Sequence, residues 1–236
     1  MKVLKIILVI LLFVLIILGI DFVFREEEIL NISTVETKYV GTVVIDPGHG
    51  GYDEGASSKK GNNEKSLVLE ISLKLGKKLT ENNFKVFYTR DKDISLGHTV
   101  REDIINRAEF IDSKKPDIFI SIHLNGSDIK QAKGVESYYE YLNKKSYNLC
   151  ENIQDELSSI EYTKDRGIKG TNEKSLGILR YSKAVGVLLE LGFITNVEDE
   201  KYLVSNNGQD IIVEAIFNGI MNYFRNNNSG GYYEKN

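Results

Sequence analysis

Asp117-Ile-Phe-Ile-Ser-Ile-His-Leu-Asn-Gly126 is an apolar, strand-like run that passes directly into a histidine and then an Asn-Gly pair. Two other runs share this plan. Thr42-Val-Val-Ile-Asp46 leads into Pro-Gly-His49-Gly-Gly51, and Ala184-Val-Gly-Val-Leu-Leu189 delivers Glu190 before Leu-Gly-Phe193. In open α/β sheets, ligands bind in the crevice beyond the carboxyl ends of the strands, so His49, His123 and Glu190 are expected to meet there. Working outward, the pattern predicts strands at 42–46, 84–89, 117–122, 135–141, 176–180 and 184–190. Helices are expected at 63–81, 100–113, 145–158 and 208–225. This alternation implies a single α/β domain with a mostly parallel, twisted sheet covered by helices on both faces.

Glu64 adds a fourth residue to the set. Asn62-Asn63 offers a helix N-cap, and Leu67, Val68, Ile71, Leu75 and Leu79 follow at helical spacing. At about 100° per residue these five form one stripe, and Glu64 projects near its middle. A carboxylate that points the way the buried face points needs a partner, because an isolated buried charge costs several kcal/mol. A metal ion would supply one. An acidic residue also suits the positive end of a helix without any ion, so both readings stand at this point.

The motifs Asp-Pro-Gly-His49-Gly-Gly, Asn-Glu64, Ser-Ile-His123-Leu-Asn and Leu-Glu190-Leu-Gly-Phe, in this order, resemble the zinc-dependent N-acetylmuramoyl-L-alanine amidases of the Amidase_3 type. The similarity runs from about Val43 to about Tyr223. Tyr88-Thr-Arg-Asp91, Arg166-Gly-Ile-Lys169 and Gly177-Ile-Leu-Arg180 also resemble that family. The resemblance implies zinc on His49, Glu64 and His123, with Glu190 as catalytic acid/base and peptidoglycan as substrate. One departure is Ala-Glu109 after Arg107, where the family more often has Ala-Asn. The short form with an N-terminal apolar segment and no wall-binding repeats resembles the spore-cortex amidases, which act in muramic-δ-lactam formation. That likeness implies an accessory activating protein as a partner.

The residue types fit this chemistry on their own terms. Three protein ligands leave a fourth tetrahedral position for water, which is the plan of a catalytic rather than a structural zinc site. Zinc brings the pKa of such a water to about 7 and polarises an amide carbonyl. Glu190 can take a proton from water and pass it to the leaving amine, or it can be a strand-end carboxylate paired with a nearby Lys or Arg. Two other outcomes of the same sequence are a zinc endopeptidase cutting within the stem peptide and a non-catalytic wall-binding protein of the same fold. His98, in Leu-Gly-His-Thr, reads as a loop or capping residue. Arg166 and Lys169 lie in a polar loop expected over 164–174, where they meet an acidic substrate group or only solvent. Asn125 either orients a substrate or the metal surroundings or only shapes a turn with Gly126, and the tyrosines of Tyr138-Tyr-Glu-Tyr141 read as packing. There is no His-Glu-x-x-His helix and no cysteine pair.

The first 41 residues place the chemistry in the cell. Lys2 and Lys5 precede an unbroken apolar run from Ile6 to Ile20, followed by Asp21 and Arg25-Glu-Glu-Glu28. With no small-x-small cleavage site after it, residues 1–26 read as an uncleaved signal-anchor, with a cleaved signal peptide as the alternative. The leading lysines stay cytoplasmic, which makes the remainder extracytoplasmic and membrane-anchored. Residues 27–41 form a polar lead, 42–225 the catalytic domain, and 226–236 a disordered tail. A net charge of -4 gives no electrostatic case for nucleic acid. The single cysteine, Cys150, excludes an intramolecular disulfide.

Overall fold

The computed structural model describes residues 6–7, 10–20 and 39–228, and the chain divides into the units Met1–Lys38 and Tyr39–Asn236. Residues 1–5, 8–9 and 21–26 of the expected anchor lie outside the described residues, as do 27–38 of the polar lead and 229–236 of the expected tail. In the first unit, residues 10–20 are helical with exposed apolar side chains. Among the described residues, no helix is long and apolar enough to cross a membrane.

The second unit is built on six strands: β1 (Thr42–Pro47), β2 (Lys85–Tyr88), β3 (Ile118–Asn125), β4 (Val135–Tyr139), β5 (Asp165–Gly170) and β6 (Gly186–Phe193). Their order is β2-β1-β3-β6-β4-β5. The β1–β2, β1–β3, β3–β6 and β4–β5 pairs are parallel, and the single antiparallel pair is β4–β6. The sheet is therefore mostly parallel, as the alternation implied. At the reversal, β4 and β5 begin at the edge where β3 and β6 end.

The helices are α1 (Glu64–Glu81), α2 (Val100–Ser113), α3 (Lys144–Ser159), α4 (Gly177–Tyr181), α5 (Val197–Leu203) and α6 (Asn206–Asn228). Sequence sets their starts. Asn63, Thr99 and Asn143 each accept a hydrogen bond from the backbone three residues on, satisfying one orphan donor apiece. Alternate strand residues feed two cores, because successive side chains leave opposite faces of a strand. Val43, Ile45, Ile118, Ile120, Val187 and Leu189 pack with the α1 stripe, α3 and α6, whereas Val44, Phe119 and Leu188 pack with residues of α2 and α4. Helices thus cover both faces. Ile71, fully buried on the α1 stripe, is a point where truncation to Ala would cost about 2–5 kcal/mol.

Three expectations are corrected. Residues 176–180 were expected as a strand, but Gly177–Tyr181 form helix α4; a short apolar run fits either element, and here it caps the α2 face. The expected loop over 164–174 contains β5, an edge strand whose polar Asp165-Arg-Gly-Ile-Lys-Gly170 lacks the usual apolar signal. Residues 226–228, assigned to a disordered tail, continue α6.

Candidate metal centre and active site

The loop after β1 is held by its main chain. Arg90 donates to the carbonyls of Pro47 (3.0 Å) and Gly48 (2.7 Å), and Arg107 donates to those of Pro47 (2.7 Å) and His49. Arg107 also pairs with Asp46 at 3.0 Å, and both are almost fully buried. Thr89 and Ser121 complete the Asp46 carboxylate at 2.6 and 2.7 Å. Burial alone would raise the pKa of Asp46, but the Arg107 charge and these two hydroxyls hold it below the usual carboxylate range. With the loop fixed, His49 adopts a left-handed backbone (φ 58°). Gly48 permits the closest approach: a Cβ there would lie 2.3 Å from the His123 ring.

Three donors meet at this loop. His49 Nε2 and His123 Nδ1 each stand 3.1 Å from the same Glu64 oxygen, Oε1. Glu64 is 2 % exposed at the start of α1, and its carboxylate also accepts from the Ala56 and Leu124 amides at 2.9 Å each. The Leu124 N–H is available because it points to the β1 side of β3, where the pairing ends at Pro47 opposite Ile122. Burial opposes ionisation of Glu64, yet the His123 and His49 hydrogen bonds hold its pKa far below the usual range. Burial would likewise lower the pKa of His49, but Glu64 and then Asp53 push it up to about 9. Asp53 Oδ2 sits 2.8 Å from His49 Nδ1, which fixes the ring and leaves Nε2 facing Glu64.

Ligand atoms of His49, Glu64 and His123 all lie within 4.8 Å of one another, so the set can hold a metal ion. Two imidazole nitrogens and a carboxylate oxygen suit zinc. The fit is borne by the geometry: both rings turn a nitrogen toward one carboxylate oxygen, and the far nitrogen of His49 is already occupied by Asp53.

Glu190 stands beside His123 in the β3–β6 register. It is 6 % exposed, its Oε2 has no hydrogen-bond partner among the described residues, and Lys174 Nζ lies 3.7 Å from Oε1. Burial pushes its pKa up to about 7, with the Glu64 and Glu136 charges adding to the rise and His123 and Lys174 opposing it. Glu136 is opposite Glu190 across the antiparallel β4–β6 pair. It accepts from Asn125 (3.1 Å), Tyr138 (2.8 Å), Arg166 (2.6 Å) and Lys169. Despite burial, the Lys169 and Arg166 hydrogen bonds bring its pKa down to about 2.

All four residues singled out from the sequence are thus brought together. The Asn125 side chain donates to Glu136 at 3.1 Å, a contact beyond the shaping of a turn. Tyr138 packs in the core and shares that carboxylate. Arg166 and Lys169 are ion-paired rather than solvated. His98 is exposed, and its backbone N–H donates to Glu102 at the start of α2. Sequence reading passed over Asp53 and Glu136; the i,i+4 spacing of His49 and Asp53 was the only available signal for either. A cavity of about 130 Å³ adjoins both histidines, with Ile104, Leu176 and Leu188 in its apolar wall.

The Amidase_3 model, described as N-acetylmuramoyl-L-alanine amidase, matches residues 43–222. The chain belongs to the Amidase_3 family. It is 36% identical over 206 residues to a Bacillus anthracis cell wall amidase, covering 81% of this chain but 37% of that longer protein. It is 30% identical over 195 residues to the germination-specific N-acetylmuramoyl-L-alanine amidase of Bacillus subtilis (strain 168), covering 77% and 79%. Among solved structures, the CwlD amidase of Clostridioides difficile in complex with the GerS lipoprotein gives a TM-score of 0.73 at 32% identity, covering 78% of this chain and 98% of that one. Amidase_3 proteins are zinc amidohydrolases, and the His49, Glu64 and His123 cluster is consistent with their metal site.

Proposed function

We propose that the domain hydrolyses the amide between the lactyl group of N-acetylmuramic acid and the L-alanine of the peptidoglycan stem, with zinc on His49, Glu64 and His123. The observation that carries this reading is a buried carboxylate with an unpartnered oxygen, Glu190, set beside a converging N, N, O donor set. Zinc, when bound, supplies a Lewis acid for the carbonyl and acidifies a water. Glu190 accepts the proton of the attacking water and delivers it to the departing nitrogen. Its pKa near 7 suits both directions of transfer, because the best general acid/base titrates near the working pH. Asp53 holds the His49 ring, while Arg90 and Arg107 hold the loop that carries it. Burial of Glu64 excludes water from the ligand oxygen.

The cellular reading follows the relatives and the first 26 residues. The catalytic unit works outside the cytoplasm, tethered by an uncleaved N-terminal anchor, and takes part in spore-cortex muramic-δ-lactam formation with the help of an accessory protein. Support comes from the germination-specific relative and from the CwlD amidase solved with a lipoprotein. Protease added to intact protoplasts should remove the C-terminal domain and leave a membrane-bound stub; a mature chain starting after Ile20 would reject the anchor.

Mass analysis of digested peptidoglycan tests the bond. Each turnover should release an intact stem peptide with a new L-alanine amino terminus. Shortened peptides still attached to muramic acid would identify an endopeptidase, and new sugar reducing ends a glycosidase. A zinc-loaded protein that binds peptidoglycan without producing any fragment would be the non-catalytic form.

A further inference from the structure

Because β4 and β5 start where β3 and β6 end, their first residues enter the site from its far side. His123, Glu190 and Glu136 lie in register on three adjacent strands, so their side chains share one face of the sheet. Neighbouring strands are about 4.8 Å apart, which puts Glu136 about 10 Å from His123 along this row. Arg166 follows at the start of β5.

Charge does not balance at the end of the row. Glu136 is nearly fully buried and meets two cations, Arg166 and Lys169. One would neutralise it, and the second leaves a positive surplus. Lys174, whose nearest carboxylate is Glu190 at 3.7 Å, brings a third cation to the same place, 5.2 Å above the Tyr138 ring that also carries Lys169 at 5.6 Å. Arg166 reaches Glu136 through Nε alone; its two terminal nitrogens make no hydrogen bond among the described residues, and its side chain is 32% exposed. A guanidinium in that state presents a planar pair of donors that matches a carboxylate.

We propose that Arg166, Lys169 and Lys174 form a carboxylate-binding subsite that receives a free carboxylate on the second stem residue, the one after L-alanine, as an acidic residue there keeps when only one of its two carboxyls is used in the chain. The assignment rests on the amidase reading of the site. The lactyl side cannot supply the anion, since its own carboxyl is tied up in the scissile amide. An extended chain advances about 3.3–3.6 Å per residue, so a carboxylate on the second residue lies about 7 Å from the scissile nitrogen. Arg166 and Lys169 stand on β5, two strands or about 10 Å beyond Glu190, but their side chains reach back to the Glu136 carboxylate on β4, one strand or about 5 Å beyond Glu190, which is within that reach. The stem peptide then leaves the site across the starts of β4 and β5.

Two synthetic muropeptides that differ only in whether this carboxyl is free or amidated test the subsite on the zinc-loaded, full-length chain. The free acid should be favoured in kcat/KM by at least about tenfold, the value of one hydrogen bond to a charged group. The preference should reside in KM, and calorimetry on the Glu190→Gln protein should show it again in Kd. Arg166→Gln combined with Lys169→Gln should bring the ratio to near one. Since that pair also strips Glu136 of partners, Lys174→Gln serves as the second variant: it touches no Glu136 oxygen, and because it stands 3.7 Å from Glu190 the quantity read is the free-to-amidated ratio within the variant, in which any change at Glu190 cancels; that ratio should fall severalfold. Equal cleavage of both muropeptides by the unmodified chain, or a preference that survives in a folded Arg166/Lys169 variant and in Lys174→Gln, overturns the subsite and leaves the amidase reading intact. No cleavage of either substrate overturns both.

Discussion

Replacing Glu190 by Gln should abolish most activity and, in the metal-free protein, stabilise the fold. The unfolded carboxyl titrates near 4.5 and the folded one near 7. Below pH 4.5 both states are protonated and the residue is neutral toward stability. Between 4.5 and 7 the folded state holds the proton more tightly, so stability falls as pH rises, and above 7 the full cost of a buried carboxylate is present. The gap corresponds to about 3 kcal/mol at pH 8 and to under about 1 kcal/mol at pH 5. Gln carries no charge and escapes this cost, while its size preserves the packing of a residue that is 6 % exposed. Urea unfolding of both proteins in chelator at the two pH values reads the difference directly, and turnover of the zinc-loaded pair should differ by about 100- to 10,000-fold. A mutant no more stable than the parent at pH 8, or one with the same advantage at pH 5, would refute the burial argument. Near-normal turnover would show that another group moves the proton.

Other consequences follow from the same geometry. His49→Asn, chosen because Asn tolerates the left-handed backbone at that position, and His123→Ala should each lose bound zinc in elemental analysis; full occupancy in both would sink the ligand set. Arg107→Met should destabilise the fold by about 3–5 kcal/mol by leaving Asp46 buried and unpaired. Adding Asp46→Asn should recover part of that, and strictly additive losses in a denaturation cycle would contradict the pairing. For Glu136, whose folded pKa is depressed to about 2 from 4.5, the stabilisation is complete above pH 4.5 and disappears as pH falls toward 2. The stability difference between Glu136→Gln and the parent should therefore shrink across that window, and a difference independent of pH would refute it.

The donors were legible because each sits where local pattern is strong: at the end of an apolar run or one residue past an N-cap. Residues that hold the donors were harder to see. Arg90 and Arg107 act on carbonyls, and no side-chain pattern in the loop announces which cation will reach its backbone. Glu136 looks like any polar residue within a strand until the β4–β6 register puts it opposite Glu190. That register depends on the reversal of β4, a long-range pairing that periodicity does not encode. The short elements failed for a related reason. Leu-Gly-Ile-Leu-Arg180 is too brief for its period to separate helix from strand, and β5 is an edge strand whose pairing partner lies on β4.

The grip of Arg90 and Arg107 on the carbonyls of Pro47, Gly48 and His49 bears on what happens when the ion is lost. In zinc-finger domains the free energy of metal binding is the free energy of folding, and chelation melts the chain. Here the histidine loop is frozen by buried guanidinium groups that need no ion to keep their partners, so little ordering remains for loading to impose. Metal depletion then produces a dormant enzyme instead of an unfolded one, and restoring the ion revives it without refolding.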